Sequence, residues 1–234
     1  MARPAAAVIG VGPGNGAAIA RRLVADGFAV GLVARTPGLV HVLARELGDA
    51  ARAHQADAAD PAALAAALAR VEAELGAVEV LVYNAGSGVW GDVEEVAPAA
   101  FEAAWRVNAL GALVASQAVI PAMRRAGRGA IVLIGATASR RGGPRSAAFS
   151  SAKGAQRLLA ESMARHLWPH GIHVALVVID GIVDLPATRQ RMPDQPDAFF
   201  VRAEDVAATV SAIVRQPPSA WSFEVEARPF GERW

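Results

Sequence analysis

The stretch Ala6-Ala7-Val8-Ile9-Gly10-Val11-Gly12-Pro13-Gly14-Asn15-Gly16-Ala17-Ala18-Ile19-Ala20-Arg21-Arg22-Leu23 decides how the chain is read. It opens on a short apolar run suited to a buried strand, passes through glycines at alternate positions, and continues as an Ala/Arg/Leu segment of helical character. Strand, glycine turn and helix in that order present a helix N-terminus to a phosphate. Glycine lets the backbone approach closely and adopt positive φ, while unpaired helical N–H groups and the helix dipole favour an anion. Two registers fit. Gly12, Gly14 and Ala17 match the dinucleotide fingerprint G-x-G-x-x-G/A, and Gly10, Gly14 and Gly16 match G-x-x-x-G-x-G. A glycine-rich connection that binds nothing would show the same residues, so the remainder of the chain has to decide.

Bulk properties narrow the classes. A length of 234 residues and a hydrophobic content of 53 % supply a core for one large α/β domain or two small ones. With 23 Lys+Arg against 22 Asp+Glu, the net charge of +1 gives no electrostatic case for nucleic acid or for an anionic membrane. The absence of cysteine excludes disulfides and thiolate chemistry. Met1-Ala2-Arg3-Pro4 leads into an apolar run too short for a signal peptide. No run approaches the roughly 18 apolar residues of a membrane span. The expectation is a soluble, cytoplasmic protein.

Apolar runs alternate with helical patterns along the whole chain, which argues for βαβ units and a parallel sheet covered on both faces. Strands are expected near Ala5–Gly10, Ala29–Ala34, Ala51–Gln55, Glu79–Tyr83, Ala130–Ile134, His173–Ile179 and Ser222–Glu226. Helices are expected near Ala17–Asp26, Gly38–Leu47, Pro61–Leu75, Pro98–Arg124, Ala147–Leu167 and Ala203–Arg215. Asp60-Pro61 reads as an N-cap with proline at the first helical position, and Trp168-Pro169-His170-Gly171 as a helix stop. With no linker or repeat in view, residues 1–234 read as a single α/β domain, a doubly wound Rossmann fold with a seven-stranded parallel sheet.

The second strand ends Ala34-Arg35-Thr36. In a dinucleotide fold an acidic residue near this point holds the ribose hydroxyls of NAD, whereas an arginine accommodates the 2′-phosphate of NADP. Ala34 has no carboxylate and Arg35 carries a planar cation suited to phosphate, so NADP(H) is favoured over NAD(H). A solvated surface arginine is the alternative. Ala56-Asp57 follows the third strand, and Tyr83-Asn84-Ala85-Gly86 follows the fourth.

Together with Gly10, Gly14 and Gly16, these segments resemble the short-chain dehydrogenase/reductase family over nearly the whole chain. Asp57 matches the residue lying against adenine. Asn84-Ala85-Gly86 matches the family's Asn-Asn-Ala-Gly, with Tyr83 in the first position. The resemblance implies cofactor contacts from Gly10, Gly12, Gly14, Asn15, Gly16, Arg35, Thr36, Asp57, Asn84, Ala85, Gly86, Lys153, Gly181 and Ile182, and no metal. It also implies a catalytic tetrad of Asn, Ser, Tyr and Lys. Asn108 and Lys153 match two of its members, but Phe149 stands where the Tyr of Tyr-x-x-x-Lys belongs, and Ala136 stands thirteen positions earlier, where the Ser belongs.

In the family, the lysine holds the nicotinamide ribose and lowers the tyrosine's pKa, ordinarily about 10. Phe149 has no proton to give, and general acid–base help is worth about 10²–10⁴-fold. Ser150, Thr137 and Ser139 are nearby hydroxyls, each also explicable as bonded to backbone. Tyr83 reads as packing, and His41, His54, His166, His170 and His173 as structural. Asp180, in Ile179-Asp180-Gly181, stands where the family has Pro-Gly; it reads either as an acid/base or as a turn cap. The irregular stretch 186–202 suits a substrate lid bearing Arg189, Arg191 and Arg202. The alternating tail Ser219–Phe230 departs from the usual family ending. Trp105, Trp221 and Trp234 are candidate contacts in a homodimer or homotetramer.

The expected function is an NADP(H)-binding oxidoreductase acting on a small organic substrate. A non-redox enzyme (cyclase, isomerase or dehydratase) and a non-catalytic dinucleotide-responsive protein are the alternatives on the same scaffold.

Overall fold

The computed structural model describes residues 3–231, so Trp234 lies outside the described residues. β1 (Ala5–Ile9) enters the glycine turn and α1 (Asn15–Ala25) leaves it. β2 (Ala29–Ala34), α2 (Pro37–Leu47), β3 (Ala51–Gln55), α3 (Pro61–Leu75) and β4 (Val78–Tyr83) follow. The second half begins with α4 (Pro98–Trp105), a π-helical turn (Arg106–Leu110), α5 (Gly111–Ala126) and β5 (Gly129–Ala136). It continues through α6 (Ala147–Leu167), β6 (Ile172–Ile179), the short β7 (Ile182–Val183) and α7 (Pro186–Arg191). β8 (Phe200–Val201), α8 (Ala203–Val214) and β9 (Glu224–Ala227) complete the order.

Seven strands form one parallel sheet in the order β3-β2-β1-β4-β5-β6-β9. The chain starts mid-sheet, winds out to β3, then crosses to β4 and winds out the other way. That reversal opens a crevice at the C-terminal ends of β1 and β4, where ligands settle in open α/β sheets.

Side chains alternate along each strand, so Ala6 and Val8 face one layer of helices while Ala7 and Ile9 face the other. Ile19, Val40 and Val206 of α1, α2 and α8 cover the first face. Leu64, Val119 and Leu167 of α3, α5 and α6 cover the second. Each fully buried Leu, Ile or Val contributes about 1.5–3 kcal/mol. Burial on both sides is why the central strands β1 and β2 read as unbroken apolar runs, whereas the edge strands β3 and β9 carry polar residues. Asp60 caps α3 by accepting from the N–H groups of Ala62 and Ala63, both at 3.0 Å, with Pro61 at the first helical position.

Four local features differ from the sequence expectation. The helix expected over Pro98–Arg124 contains the π turn, which turns the Val107 carbonyl toward β4, where it accepts from the Tyr83 hydroxyl. Any side chain at Gly111 would overlap that phenol. Taken as one run, Pro98–Ala126 is long and apolar enough by length and composition to cross a membrane, contrary to the sequence reading. Its most apolar window is 44 % buried, with Ala104, Ala112, Ala115 and Val119 packed inside the domain. The stretch 186–202 is more regular than expected, since it holds α7 and β8, and β8 pairs with β7. The last strand starts at Glu224, because Ser222 is engaged by Gln216 through its N–H at 2.8 Å and its hydroxyl at 3.0 Å.

Candidate active site

The β1–α1 turn is shaped by what it lacks. Gly10 has φ +88°, and a Cβ there would overlap the Ala85 backbone. A Cβ on Gly16 would lie 2.5 Å from the Gly10 carbonyl oxygen, and one on Gly14 would lie 2.8 Å from the Leu185 side chain. Gly12 differs: a Cβ there would meet only open space, on the wall of the crevice. Gly14 is the N-cap of α1, which has no side-chain cap and no acidic residue in its first turn. Its leading amides are therefore placed to receive an anion. Asn84 braces the turn, its Nδ2 donating to the Gly10 carbonyl at 2.7 Å. The buried Oδ1 of Asn15 has no partner among the described residues.

The crevice encloses about 760 Å³, within the range of cofactor clefts. Gly10, Gly12, Arg35, Thr36, Asp57, Asn84, Ala85 and Gly86 line it, and Ser87 and Gly88 extend it. Arg35 is exposed at the rim, and its carbonyl accepts from Gln55 Nε2 at 3.1 Å. Asp57 accepts from the Ala59 N–H at 2.9 Å, which fixes the turn after β3. Gly181 and Ile182 do not line the crevice; Ile182 pairs with Phe200, and it is Leu185 that closes on Gly14.

At the other end, α6 and the π turn bring Lys153 and Asn108 beside Gly86. A Cβ on Gly86 would lie 3.6 Å from Lys153 Nζ and 3.4 Å from Asn108 Oδ1. Asn108 is fully buried. Its Nδ2 donates to the carbonyls of Ala104 at 2.8 Å and Ser87 at 3.1 Å, while Oδ1 is left without a partner among the described residues. Lys153 is 5 % exposed and donates to the Ile134 carbonyl at 2.8 Å and to Gln156 Oε1 at 3.1 Å. Burial pushes its ammonium down to about 7. Gln156 was not among the residues picked from the sequence, although a polar residue one helical turn after Lys153, on the buried face, was the available signal.

The hydroxyls near this end are taken. Ser139 accepts from the Ala136 N–H at 3.1 Å, Ser150 bonds Ser146 at 2.6 Å, and Thr137 donates to Asp180. Asp180 also pairs with Arg228, and with Arg141 at 3.5 Å. Burial alone would raise its pKa; the Thr137 hydroxyl and the Arg228 and Arg141 guanidinium groups outweigh that and hold it below the usual carboxylate range. These bonds give Asp180 a role outside the two sequence readings, that of a charged anchor between the ends of β6 and β9. Phe149 meets the Trp90 ring at 5.2 Å. The Tyr83 phenol is buried and its pKa is raised by that burial. His54 and His173 are buried in β3 and β6, His173 stacking on Trp221 at 4.7 Å, so Trp221 packs within the chain. No metal-ligating cluster occurs among the described residues.

A doubly wound sheet with a glycine turn facing the switch-point crevice defines a dinucleotide-binding α/β architecture. The chain belongs to the short chain dehydrogenase family, an oxidoreductase family whose sequence profile matches residues 4–196. It is 35 % identical over 179 residues to the inactive 2-(S)-hydroxypropyl-CoM dehydrogenase 2 of Xanthobacter autotrophicus, covering 76 % of this chain and 78 % of that protein. A short-chain dehydrogenase from Rhodopseudomonas palustris superposes with a TM-score of 0.84 at 33 % identity, over 97 % of this chain and 99 % of that one. A metagenomic short-chain oxidoreductase in complex with NADP superposes with a TM-score of 0.84 at 30 % identity, over 99 % of each chain.

Proposed function

We propose that this chain is an NADP(H)-dependent oxidoreductase for a small organic substrate, in which Ala136 and Phe149 replace the serine and tyrosine of the family's proton-transfer pair. The observation that carries the cofactor choice is Arg35, exposed on the crevice rim at the end of β2, where no carboxylate stands to take a ribose diol. The bound NADP of the metagenomic relative supports the same choice. The residues fit such a group: Gly12 leaves the wall open, α1 offers uncapped amides, and Asn108 Oδ1 is a buried acceptor in want of a donor. Gly10, Gly12, Gly14, Asn15 and Gly16 would hold the pyrophosphate, Arg35 and Thr36 the 2′-phosphate, and Asp57 the adenine. Asn84, Ala85, Gly86 and Lys153 would hold the nicotinamide half, with Gly181 and Ile182 beyond it.

When bound, the cofactor supplies or accepts a hydride. The chain's own part is to bind and orient, since Phe149 neither gives nor takes a proton. Lys153 would act through the N–H it does not spend on Ile134 and Gln156. Substrates that need little proton donation fit this site: an iminium, an enone, or an internally hydrogen-bonded quinone. A non-redox cyclase, isomerase or dehydratase is the second reading. It is favoured by the way Thr137, Ser139 and Ser150 are all engaged within the chain. The same proposal includes a homodimer or homotetramer, read by sedimentation; Trp105, 41 % exposed on α4, is the aromatic it would use.

The test is titration of NADPH and NADH into the protein and its Arg35→Ala variant. A charge-assisted phosphate contact is worth about 1.5–3 kcal/mol, so NADPH affinity should fall about tenfold or more while NADH affinity stays within about twofold. Equal loss of both would sink the 2′-phosphate assignment. Single-turnover absorbance of the reduced nicotinamide, followed across ketone, iminium and enone substrates, decides between readings. Bound NADPH that never oxidises would favour the non-redox or purely dinucleotide-responsive protein.

A further inference from the structure

Phe149 is more than a missing hydroxyl. Its ring is partly buried at the start of α6 and meets the indole of Trp90 at 5.2 Å, tilted by 48°. Trp90 itself is 65 % exposed, a large apolar surface left to water beside the crevice. Its position is tied to the site by Gly88, which lines the crevice; a Cβ on Gly88 would lie 3.2 Å from Trp90 Nε1. Two residues earlier, Gly86 faces Lys153 and Asn108. The aromatic pair therefore stands next to the crevice at Gly88, just outside the residues that line it.

The Trp90 loop is held in place from both sides. The Gly91 N–H donates to the Arg145 carbonyl at 3.0 Å, and the Gly91 carbonyl accepts from the Ala147 N–H at 3.4 Å. Arg145 also reaches Glu95 at 3.3 Å and Asp92 at 3.8 Å, and Val89 and Val96 pack on Ala104, Ala148 and Ala152. An exposed ring on a braced loop loses little freedom when a ligand lands on it.

We propose that Trp90 and Phe149 form a specificity wall for a planar conjugated ring, so that the substrate is an aromatic or quinonoid carbonyl compound and not a saturated one. Aromatic faces prefer offset or tilted partners with centroids about 4.5–7 Å apart, and such a pair gains up to about tenfold, or about 0.5–1.5 kcal/mol, beyond area burial, a gain that a flat π ring collects and a saturated ring does not. A second, independent argument agrees. Where no phenol supplies a proton, a conjugated acceptor spreads the incoming negative charge over its own π-system. The location of the wall as a substrate wall rests on the function proposed above.

The test is calorimetric titration of the full chain, with and without saturating NADPH, using tetralone and decalone, an aromatic and a saturated ketone of one bicyclic skeleton. Tetralone should bind about tenfold more tightly. Trp90→Ala and Phe149→Leu should each erase that preference, and Trp90→Phe should keep it. Equal affinities in the unaltered protein, or a preference that survives Trp90→Ala, would overturn the proposal. So would a Trp90→Ala variant that changes only the sedimenting species, since the ring would then serve contact between copies. NADPH affinity measured on the same samples separates the two readings. NADPH binding without ring preference removes the wall alone, and ring preference without NADPH binding removes the cofactor assignment alone.

Discussion

The two ends of the crevice are built in opposite ways. Around the β1–α1 turn, side chains are absent where a ligand would need room: a Cβ on Gly12 would meet open space, and α1 begins with no side-chain cap. Around the start of α6, polar groups turn onto one another. Lys153 holds Ile134 and Gln156, Ser150 holds Ser146, and Thr137 holds Asp180. A binding surface must keep unspent hydrogen-bonding capacity, whereas a scaffold spends it internally. By that criterion the β1–α1 end is open to a partner, while the α6 end spends most of its named groups internally and leaves Asn108 Oδ1 and Gln156 Nε2 without partners among the described residues.

The largest effect should come from blocking the open end. Gly10→Val combines a positive φ with overlap of the Ala85 backbone. It should cost more than about 3 kcal/mol and lower Tm by about 10 °C in a thermal melt. Gly12→Ala sharpens the contrast: with nothing near its Cβ, it should leave Tm in place while weakening NADPH binding in the same titration. Next in size is repair of the spent end. Phe149→Tyr combined with Ala136→Ser should raise ketone reduction by about 10²-fold in stopped-flow measurements. Unchanged turnover with NADPH still bound would show that the two ends differ by more than a pair of hydroxyls.

Lys153 gives a third, smaller contrast through pH. Its native pKa of about 7 lies below the unfolded value of about 10.4. Between those values the unfolded chain carries a proton that the native chain lacks, so stability rises as pH rises through this window. Below about pH 7 both states are charged and the slope vanishes. Denaturant melts between about pH 7.5 and 8.5 should show up to about 1.4 kcal/mol gained per pH unit, and Lys153→Met should flatten the gain. Smallest is Tyr83→Phe, which removes the donor to the Val107 carbonyl at the seam between the ends. It should cost about 1 kcal/mol, or about 3 °C in Tm, without altering NADPH affinity.

What could be read from the sequence follows the same division. The central strands were legible because burial on both faces makes runs such as Ala29–Ala34, and β6 from Val174 to Ile179, continuously apolar. The crevice residues were legible because glycine spacing and strand ends fix them locally, and Gly10, Gly12, Arg35, Asp57 and Gly86 all lie on its wall. Contacts that depend on which distant groups meet carried no local signature. Gln156 as partner of Lys153, Leu185 over Gly14, and Arg228 against Asp180 bring together residues whose sequence neighbourhoods look ordinary. The π turn was hidden for a related reason: the apolar periodicity of Pro98–Arg124 tolerates one extra residue without losing its stripe.

That extra residue marks a place where the long helix can be edited without being re-aimed. A π turn closes on i→i+5 hydrogen bonds, so it takes up one more residue than an α turn in about the same revolution. Excising Val107 would splice α4 and α5 into one regular helix, each half keeping the face it now presents, and would take away the bulged carbonyl that receives the Tyr83 hydroxyl. Asn108 would then stand three positions after Ala104, whose carbonyl now anchors its amide, so the change would be felt at that bond and not along the whole wall of the cleft.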